Sequence, residues 1–164
     1  MLSAGAPGTE HGSKMAHRTR IITVSGAHAG VGKTRLVERL LRALPGATAV
    51  KVVPTDAGEM VVREETSPDE SPSKDTGRYL AAGARRALLL EGPLEELERT
   101  ARRLCEERGA AVVVFESNSL ARALEPDLAF FVEGNGPLKA GAEACRRAAD
   151  VIVKAEEKED ATDE

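Results

Sequence analysis

One segment near the start of the chain combines glycines with a lysine and a hydroxyl side chain. It reads Ser25-Gly26-Ala27-His28-Ala29-Gly30-Val31-Gly32-Lys33-Thr34. Glycines allow successive backbone N–H groups to curve around phosphate oxygens, because no Cβ atom stands in the way. The lysine supplies a positive charge for terminal phosphates, and the threonine hydroxyl is a ligand that Mg²⁺ accepts. The segment therefore predicts a site for a nucleoside triphosphate with magnesium.

The predicted contacts with the nucleotide extend beyond this lysine and threonine. Arg35 stands where a second hydroxyl residue often follows, and we expect it to touch phosphate from outside the loop. Lys51 has two interpretations: it reaches the triphosphate or an acidic substrate, or its stem lies along a strand end with the charge in water. The predicted nucleotide-binding residues are Gly26, Ala27, His28, Ala29, Gly30, Val31, Gly32, Lys33, Thr34, Arg35 and Lys51.

Two carboxylates compete for the role of magnesium ligand. Glu116 ends the apolar run 110–115, and open α/β sheets present ligand-binding groups at the carboxyl ends of their strands. It can hold Mg²⁺ directly or through water, and the alternative is a strand-end Glu that faces solvent. Asp56, after the second apolar run, is the rival. The predicted metal ligands are thus Thr34 with Glu116 or Asp56, and the predicted catalytic residues are Lys33 and Glu116.

Apolar runs alternate with amphipathic helical patterns, which indicates an α/β fold of three layers, with a mainly parallel sheet covered by helices on both faces. The charged, Pro- and Ser-rich stretch 61–73 is predicted to be a mobile loop beside the site. Predicted strands cover residues 21–25, 47–53, 86–90, 110–115, 128–132 and 151–153. Predicted helices cover residues 34–44, 75–82, 94–108 and 138–149.

Length and composition favour one globular domain. The 164 residues suit a single core, predicted for residues 20–153 between a disordered tail, 1–19, and an acidic tail, 154–164. A net charge of −4 and 2% aromatic residues argue against nucleic-acid binding. No apolar run approaches the roughly 20 residues of a membrane span, and no secretory signal is recognisable. Cys105 and Cys145 lack metal-ligand spacing, so we predict small core residues and a cytoplasmic location.

The glycine-rich loop is one residue longer than the commonest phosphate loop. The position six residues before Lys33 is Ala27, and Gly26 lies one residue further back. This form resembles the loop of dethiobiotin synthetase and the cobyrinate diamide synthases, in the signal-recognition, MinD and BioD class of P-loop proteins. The resemblance implies a P-loop NTPase fold. The bridging lysine of the MinD/ParA loop aligns with His28, which argues against a lysine-mediated ATP-sandwich dimer and leaves other homodimers open.

A second resemblance covers residues 20–153. The run Val50-Lys51-Val52-Val53, and the run Lys74-Asp75-Thr76-Gly77-Arg78-Tyr79-Leu80-Ala81-Ala82-Gly83-Ala84, resemble the molybdopterin-guanine dinucleotide biosynthesis protein B (MobB) family. The resemblance implies GTP binding with slow hydrolysis, and an adaptor role in molybdenum-cofactor assembly. That family's Glu-Gly-Phe after the fourth strand is here Glu116-Ser117-Asn118-Ser119.

Three functions fit these residues. The first is an NTP-binding accessory factor for cofactor or metalloenzyme assembly, with a protein partner and slow hydrolysis. The second is an ATP-dependent small-molecule ligase or kinase of the dethiobiotin-synthetase type, and the third is a non-hydrolysing interaction module. The chain lacks an Asn-Lys-x-Asp motif, so ATP and GTP both remain open, with Asn118 and Asn135 as the amides placed to read a base. Arginines considered for transition-state stabilisation are Arg35, Arg78, Arg85 and Arg86.

Overall fold

A computed structural model of the protein describes residues 18–56, 58–69, 74–107 and 109–155. These residues form seven strands in one sheet, joined by four helices. The strands are β1 (Arg20–Gly26), β2 (Thr48–Pro54), β3 (Val61–Glu65), β4 (Arg86–Gly92), β5 (Val112–Glu116), β6 (Leu128–Glu133) and β7 (Val151–Lys154). The helices are α1 (Lys33–Ala43), α2 (Asp75–Ala81), α3 (Leu94–Glu106) and α4 (Ala142–Ala148).

The sheet has the strand order β3-β4-β2-β5-β1-β6-β7. Only the pairing of β3 with β4 is antiparallel among the described strands, so the predicted α/β fold with a mainly parallel sheet is confirmed. In the register, Glu116 lies beside both Val24 and Lys51, while Gly26 lies beside Val132. The carboxyl ends of β1, β2, β5 and β6 therefore meet at one edge, where a ligand site is expected.

Helices cover both faces of the sheet. Successive residues of a strand face opposite sides, so neighbouring residues of β5 belong to different core clusters. Val114 belongs to a core cluster that includes Leu41 of α1 and Tyr79 of α2. Its neighbour Phe115 belongs to a second cluster with Leu97 of α3. Helix α4 contacts β1 and β6. This arrangement is consistent with a three-layer α/β fold.

Two predicted elements differ from the structure. The sequence predicts a loop for 61–73, but Val61–Glu65 forms the edge strand β3, because antiparallel pairing with β4 overrides its weak, highly charged pattern. The helix predicted for 138–149 begins only at Ala142, since Gly141 has φ 81° and the Lys139 N–H donates to the Ala27 carbonyl at 2.7 Å. Residues 70–73 of the predicted loop lie outside the described residues.

The boundaries of the predicted tails also shift. Arg18 contacts Asp127, and the Thr19 hydroxyl donates to the Ala110 carbonyl at 2.9 Å. At the other end Lys154 belongs to β7, while residues 1–17 and 156–164 lie outside the described residues. None of the helices in the described part has both the length and the apolar character that crossing a membrane requires.

Candidate functional site

The segment between β1 and α1 forms a turn that depends on glycine. Gly30 has φ 76° and Gly32 has φ 111°, in the left-handed region that glycine adopts without a Cβ penalty. Gly32 is the N-cap of α1, and no side chain caps this helix end. The first turn of α1 also contains no acidic residue. Its free N–H groups and the positive end of the helix dipole are therefore available to an anion.

Backbone contacts fix this loop to neighbouring strand ends. The Gly26 N–H donates to Oδ1 of Asn118, and Nδ2 of Asn118 donates to the Gly26 carbonyl, each at 2.8 Å. The Ala27 N–H donates to the Val132 carbonyl at 3.0 Å. A Cβ atom at Gly26 would lie only 2.8 Å from Cγ of Lys33. Glycine at this position therefore allows the Lys33 stem to pack against the end of β1.

Three further residues near the loop, which the sequence predicts to contact the nucleotide, have different surroundings. His28 packs on the loop after β6, since a Cβ atom at Gly134 would lie 2.5 Å from its Nε2 atom. The His28 Nδ1 atom lies 2.9 Å from the Ala29 carbonyl oxygen. Arg35 and Asn135 are both exposed. The His28 imidazole thus fills space between two loops. His28 is the residue that aligns with the second lysine of the MinD/ParA pattern.

Glu116 is the centre of a buried polar network. Its side chain is only 1% exposed, and its Oε1 atom accepts hydrogen bonds from Oγ1 of Thr34 at 2.8 Å and from the Tyr79 hydroxyl at 3.0 Å. Its Oε2 atom accepts from Nζ of Lys51, which also pairs with Asp75 at 3.1 Å. The structure therefore places Thr34, Glu116 and Lys51 together, three residues that lie far apart in the chain.

Asp56, the rival metal ligand, is not part of this network. It lies exposed beyond the end of β2 and makes no hydrogen bond to Thr34 or Glu116. Within the described residues, no group of three or more His, Cys, Asp and Glu side chains could hold a metal ion. Of the three predicted metal ligands, the structure brings Thr34 and Glu116 into contact and leaves Asp56 apart from them.

Lys33 and Lys51 differ in how their charges are compensated. Burial opposes the charge on Lys51, but the carboxylates of Glu116 and Asp75 outweigh burial and raise its pKa. Burial lowers the pKa of Lys33 by more than the nearby charge of Glu116 raises it, and the charges of Lys51 and Lys139 lower it further. The Lys33 side chain makes no hydrogen bond or ion pair with any residue of the described ranges, unlike that of Lys51. Its half-buried ammonium group is therefore the one that an incoming anion would relieve.

A cavity of about 500 Å³ adjoins this network. It opens beside Lys33 and Glu116, and it is also lined by Lys51, Arg122 and Lys139. The last two belong to different segments, one after β5 and one before α4. The carboxyl edge of the sheet thus combines an open helix end, an unpaired lysine, a buried carboxylate and a cationic cavity.

Asp75 and Tyr79 make contacts in the site that sequence reasoning did not assign, and Asn118 makes contacts other than the predicted one. Burial raises the pKa of Tyr79 well above its usual value, so its hydroxyl is a stable donor to Glu116. Asp75 and Tyr79 stand four residues apart on α2, a spacing that puts both on one helix face and was a usable signal. Both amide atoms of Asn118 engage Gly26, so its predicted role as a base reader is not supported.

The arginines considered for transition-state stabilisation are mostly engaged elsewhere. Arg78 pairs with Glu38 on α1. Arg85 donates to the Gly109 carbonyl at 3.1 Å, and Arg86 pairs with Glu64 at 2.6 Å. The last two lie at the start of β4, which is the opposite edge of the sheet.

Comparison of the chain with protein-family models, with curated proteins and with solved structures finds no match. Membership of a family therefore stays a prediction from the motifs. What these residues bind has to be inferred from their geometry and charge.

Proposed function

We propose that the protein is a P-loop NTPase of low intrinsic turnover, which binds a nucleoside triphosphate with Mg²⁺ through residues 26–34. The observation that carries this proposal is the 2.8 Å hydrogen bond from the Thr34 hydroxyl to Glu116. It joins the first turn of α1 to the carboxyl end of β5, so a hydroxyl and a carboxylate stand together beside an uncapped helix end. These are the groups that a metal-bound phosphate requires.

The phosphates would be held by the backbone of the loop and by Lys33. Left-handed glycines at 30 and 32 turn the chain so that N–H groups of the loop and of the first turn of α1 can donate to phosphate oxygens. Lys33 adds a charge that has no competing partner among the described residues. Charge-assisted contacts of this kind are roughly twice as strong as neutral hydrogen bonds.

Magnesium would take Thr34 as a direct ligand and Glu116 through water. Mg²⁺ demands near-octahedral oxygen coordination and usually keeps several waters, so one or two protein ligands with phosphate oxygens are sufficient. Glu116 already accepts from Thr34, Tyr79 and Lys51, which favours an outer-sphere role for this carboxylate. The exposed Asp56 has no such connection to the loop.

Slow hydrolysis follows from the surroundings of the loop. Arg78 is held by Glu38, and Arg85 and Arg86 lie at the far edge of the sheet. An arginine that stabilises the transition state raises the turnover rate of P-loop enzymes roughly 10³- to 10⁵-fold. Since Arg78, Arg85 and Arg86 are engaged elsewhere, we expect turnover well below the median enzyme rate of about 10 per second. An accessory role in cofactor or metalloenzyme assembly agrees with such a rate and with the resemblance of residues 50–53 and 74–84 to the MobB family.

Calorimetry with ATP and with GTP, each with and without Mg²⁺, tests the central claim. Lys33→Ala should weaken magnesium-dependent binding by about 3–5 kcal/mol, which is at least about 100-fold, because phosphate loses its charged partner. Arg103→Ala, an exposed cation on α3, is the matched control and should bind as the wild type does. Unchanged affinity in Lys33→Ala would remove the proposal.

A second candidate function is phosphoryl transfer to a small molecule by a ligase or kinase. The cavity beside Lys33 favours it, because an accepting group placed there would stand next to the terminal phosphate. Turnover that appears only when a candidate acid is added would support this function. Hydrolysis without any acid supports the accessory factor, and binding without turnover supports an interaction module.

A further inference from the structure

Three cationic side chains without an ion pair in the described ranges line one cavity. They are Lys33, Arg122 and Lys139. Glu116 is the only carboxylate in the described lining, and it already accepts from Lys51, Thr34 and Tyr79. Counting Lys51, four cations and one carboxylate therefore line the described part of this cavity, which carries an excess of positive charge.

The cavity is larger than a terminal phosphate requires. Its volume of about 500 Å³ falls within the range of roughly 300–1,000 Å³ that small-molecule sites occupy. Part of its wall is apolar or small, and would suit a carbon framework better than a bare ion. These wall residues are Val52, Pro54, Ala123, Ala140 and Ala144.

The cations away from the loop stand on fixed backbone. Arg122 belongs to the turn after β5, where Leu120 and Leu124 are buried and Arg102 donates to the Ala123 carbonyl at 2.5 Å. Lys139 is tied to the phosphate-binding loop, since its N–H donates to the Ala27 carbonyl at 2.7 Å. The guanidinium of Arg122 suits bidentate contact with a carboxylate or phosphate, and the ammonium of Lys139 adds a point charge.

We infer that this cavity binds a second ligand, a small organic anion whose phosphate or carboxylate group contacts Arg122 and Lys139 beside the terminal phosphate of the nucleotide. The inference rests on the proposed function for the position of the nucleotide, and it adds the chemical class of the second ligand. Lys33 serves the nucleotide in this arrangement, while Arg122 and Lys139 serve the second anion.

The test uses the full chain with Mg²⁺ and a saturating non-hydrolysable triphosphate analogue, so that added anions cannot enter the loop. Inorganic phosphate and citrate are then titrated separately, and amide resonances of Ala123 and Ala144 are followed by NMR. At least one probe should shift both resonances to saturation, and which probe does so distinguishes phosphate from carboxylate recognition. Arg122→Ala should lower the affinity for that probe roughly tenfold or more, because a charge-assisted contact is lost. Arg103→Ala should leave it unchanged.

The outcomes separate this inference from the proposed function. If the analogue binds but neither probe shifts these resonances, or if Arg122→Ala and Arg103→Ala respond alike, the second site is overturned and nucleotide binding stands. If the analogue does not bind, the proposed function fails, and the probes are titrated against the free protein. Saturable shifts at Ala123 and Ala144 that Arg122→Ala abolishes would then support the anion site, and their absence would overturn it.

Discussion

The two edges of the sheet carry the same kinds of charged residue in different arrangements. At the edge where β4 begins, Arg86 pairs with Glu64 at 2.6 Å and with Glu107 at 3.2 Å. On the same side, Arg18 pairs with Asp127 at 2.6 Å. Each of these arginines is more than a third exposed, and each has a carboxylate of its own.

At the carboxyl edge the charges are matched less well. Glu116 is buried and Lys33 half-buried there, whereas Arg122 and Lys139 are exposed. Glu116 is 1% exposed and accepts hydrogen bonds from three side chains, whereas Lys33, Arg122 and Lys139 have no ion pair among the described residues. Exposed pairs typically contribute between about 0 and 1 kcal/mol. Like charges repel one another and, in addition to burial, the charges of Lys51 and Lys139 lower the pKa of Lys33 in this way. The two edges therefore differ in the pattern of pairing and not in the kinds of charge, and the unmatched pattern at the carboxyl edge is what supports the proposed site.

Among changes at the two edges, Glu116→Gln should have the largest effect on turnover. The change removes the metal-directed charge and leaves half-buried Lys51 with only Asp75 as a carboxylate partner. We expect turnover to fall by roughly 10- to 100-fold, as for other groups that orient metal ligands, while some nucleotide binding remains. Single-turnover hydrolysis with Mg²⁺ measures the effect.

Asp56→Asn is the control for that experiment. Its carboxylate is exposed and makes no contact with the loop, so turnover should match the wild type. Full activity in Glu116→Gln together with loss of activity in Asp56→Asn would transfer the metal role to Asp56.

A smaller effect is expected from Asn118→Ala. The change removes both hydrogen bonds to Gly26 and leaves a buried backbone N–H without a partner, at a cost of about 1–3 kcal/mol. Nucleotide affinity should fall roughly tenfold for ATP and GTP alike, because the loop and not the base loses its support. Asn135→Ala, an exposed control, should have no effect. A changed preference between ATP and GTP in Asn118→Ala would restore the base-reading interpretation.

The sheet could be predicted from the sequence because its inner strands are continuous apolar runs between amphipathic helices. The edge strand β3 could not, since Val61–Glu65 is mostly charged and its pairing with β4 is decided by tertiary contacts. The helix before β7 was predicted too long because Gly141 and the Lys139 N–H bond, rather than local propensity, set where α4 begins.

The residues of the candidate site likewise divide into those that the sequence predicts and those that it does not. The loop could be predicted because its residues are consecutive, and Glu116 because strand ends form ligand sites. The contact of Tyr79 with Glu116 spans 37 residues and depends on which helix covers β5. The cavity depends on two surface cations, Arg122 and Lys139, whose proximity to Lys33 no local pattern reveals.

At the opposite edge, Arg86→Ala should change little. Its pairs with Glu64 and Glu107 are solvent-exposed, so unfolding free energy should fall by no more than about 1 kcal/mol. Nucleotide affinity should equal that of the wild type, since this residue starts β4, away from the loop. Urea unfolding and calorimetry on one preparation measure both quantities. A loss of nucleotide binding would contradict the separation of the two edges.

The smallest effect concerns pH and Asp127. The N–H of Ile21 donates to this carboxylate at 2.8 Å and, with the nearby Arg18 guanidinium, holds the pKa of Asp127 below its usual value. A carboxyl whose folded pKa is depressed adds stability above its unfolded pKa, about 3.9, and that contribution is lost as pH falls through the lower folded pKa. Asp127→Asn should therefore unfold at a slightly lower temperature than the wild type at pH 7. The difference should shrink as the pH falls from about 4 through the lower folded pKa, because the unfolded carboxyl gains its proton first and the folded one follows. Melting curves from pH 3 to pH 7 measure this trend, and a difference that stays constant across the range would show that Asp127 acts through packing and not through its charge.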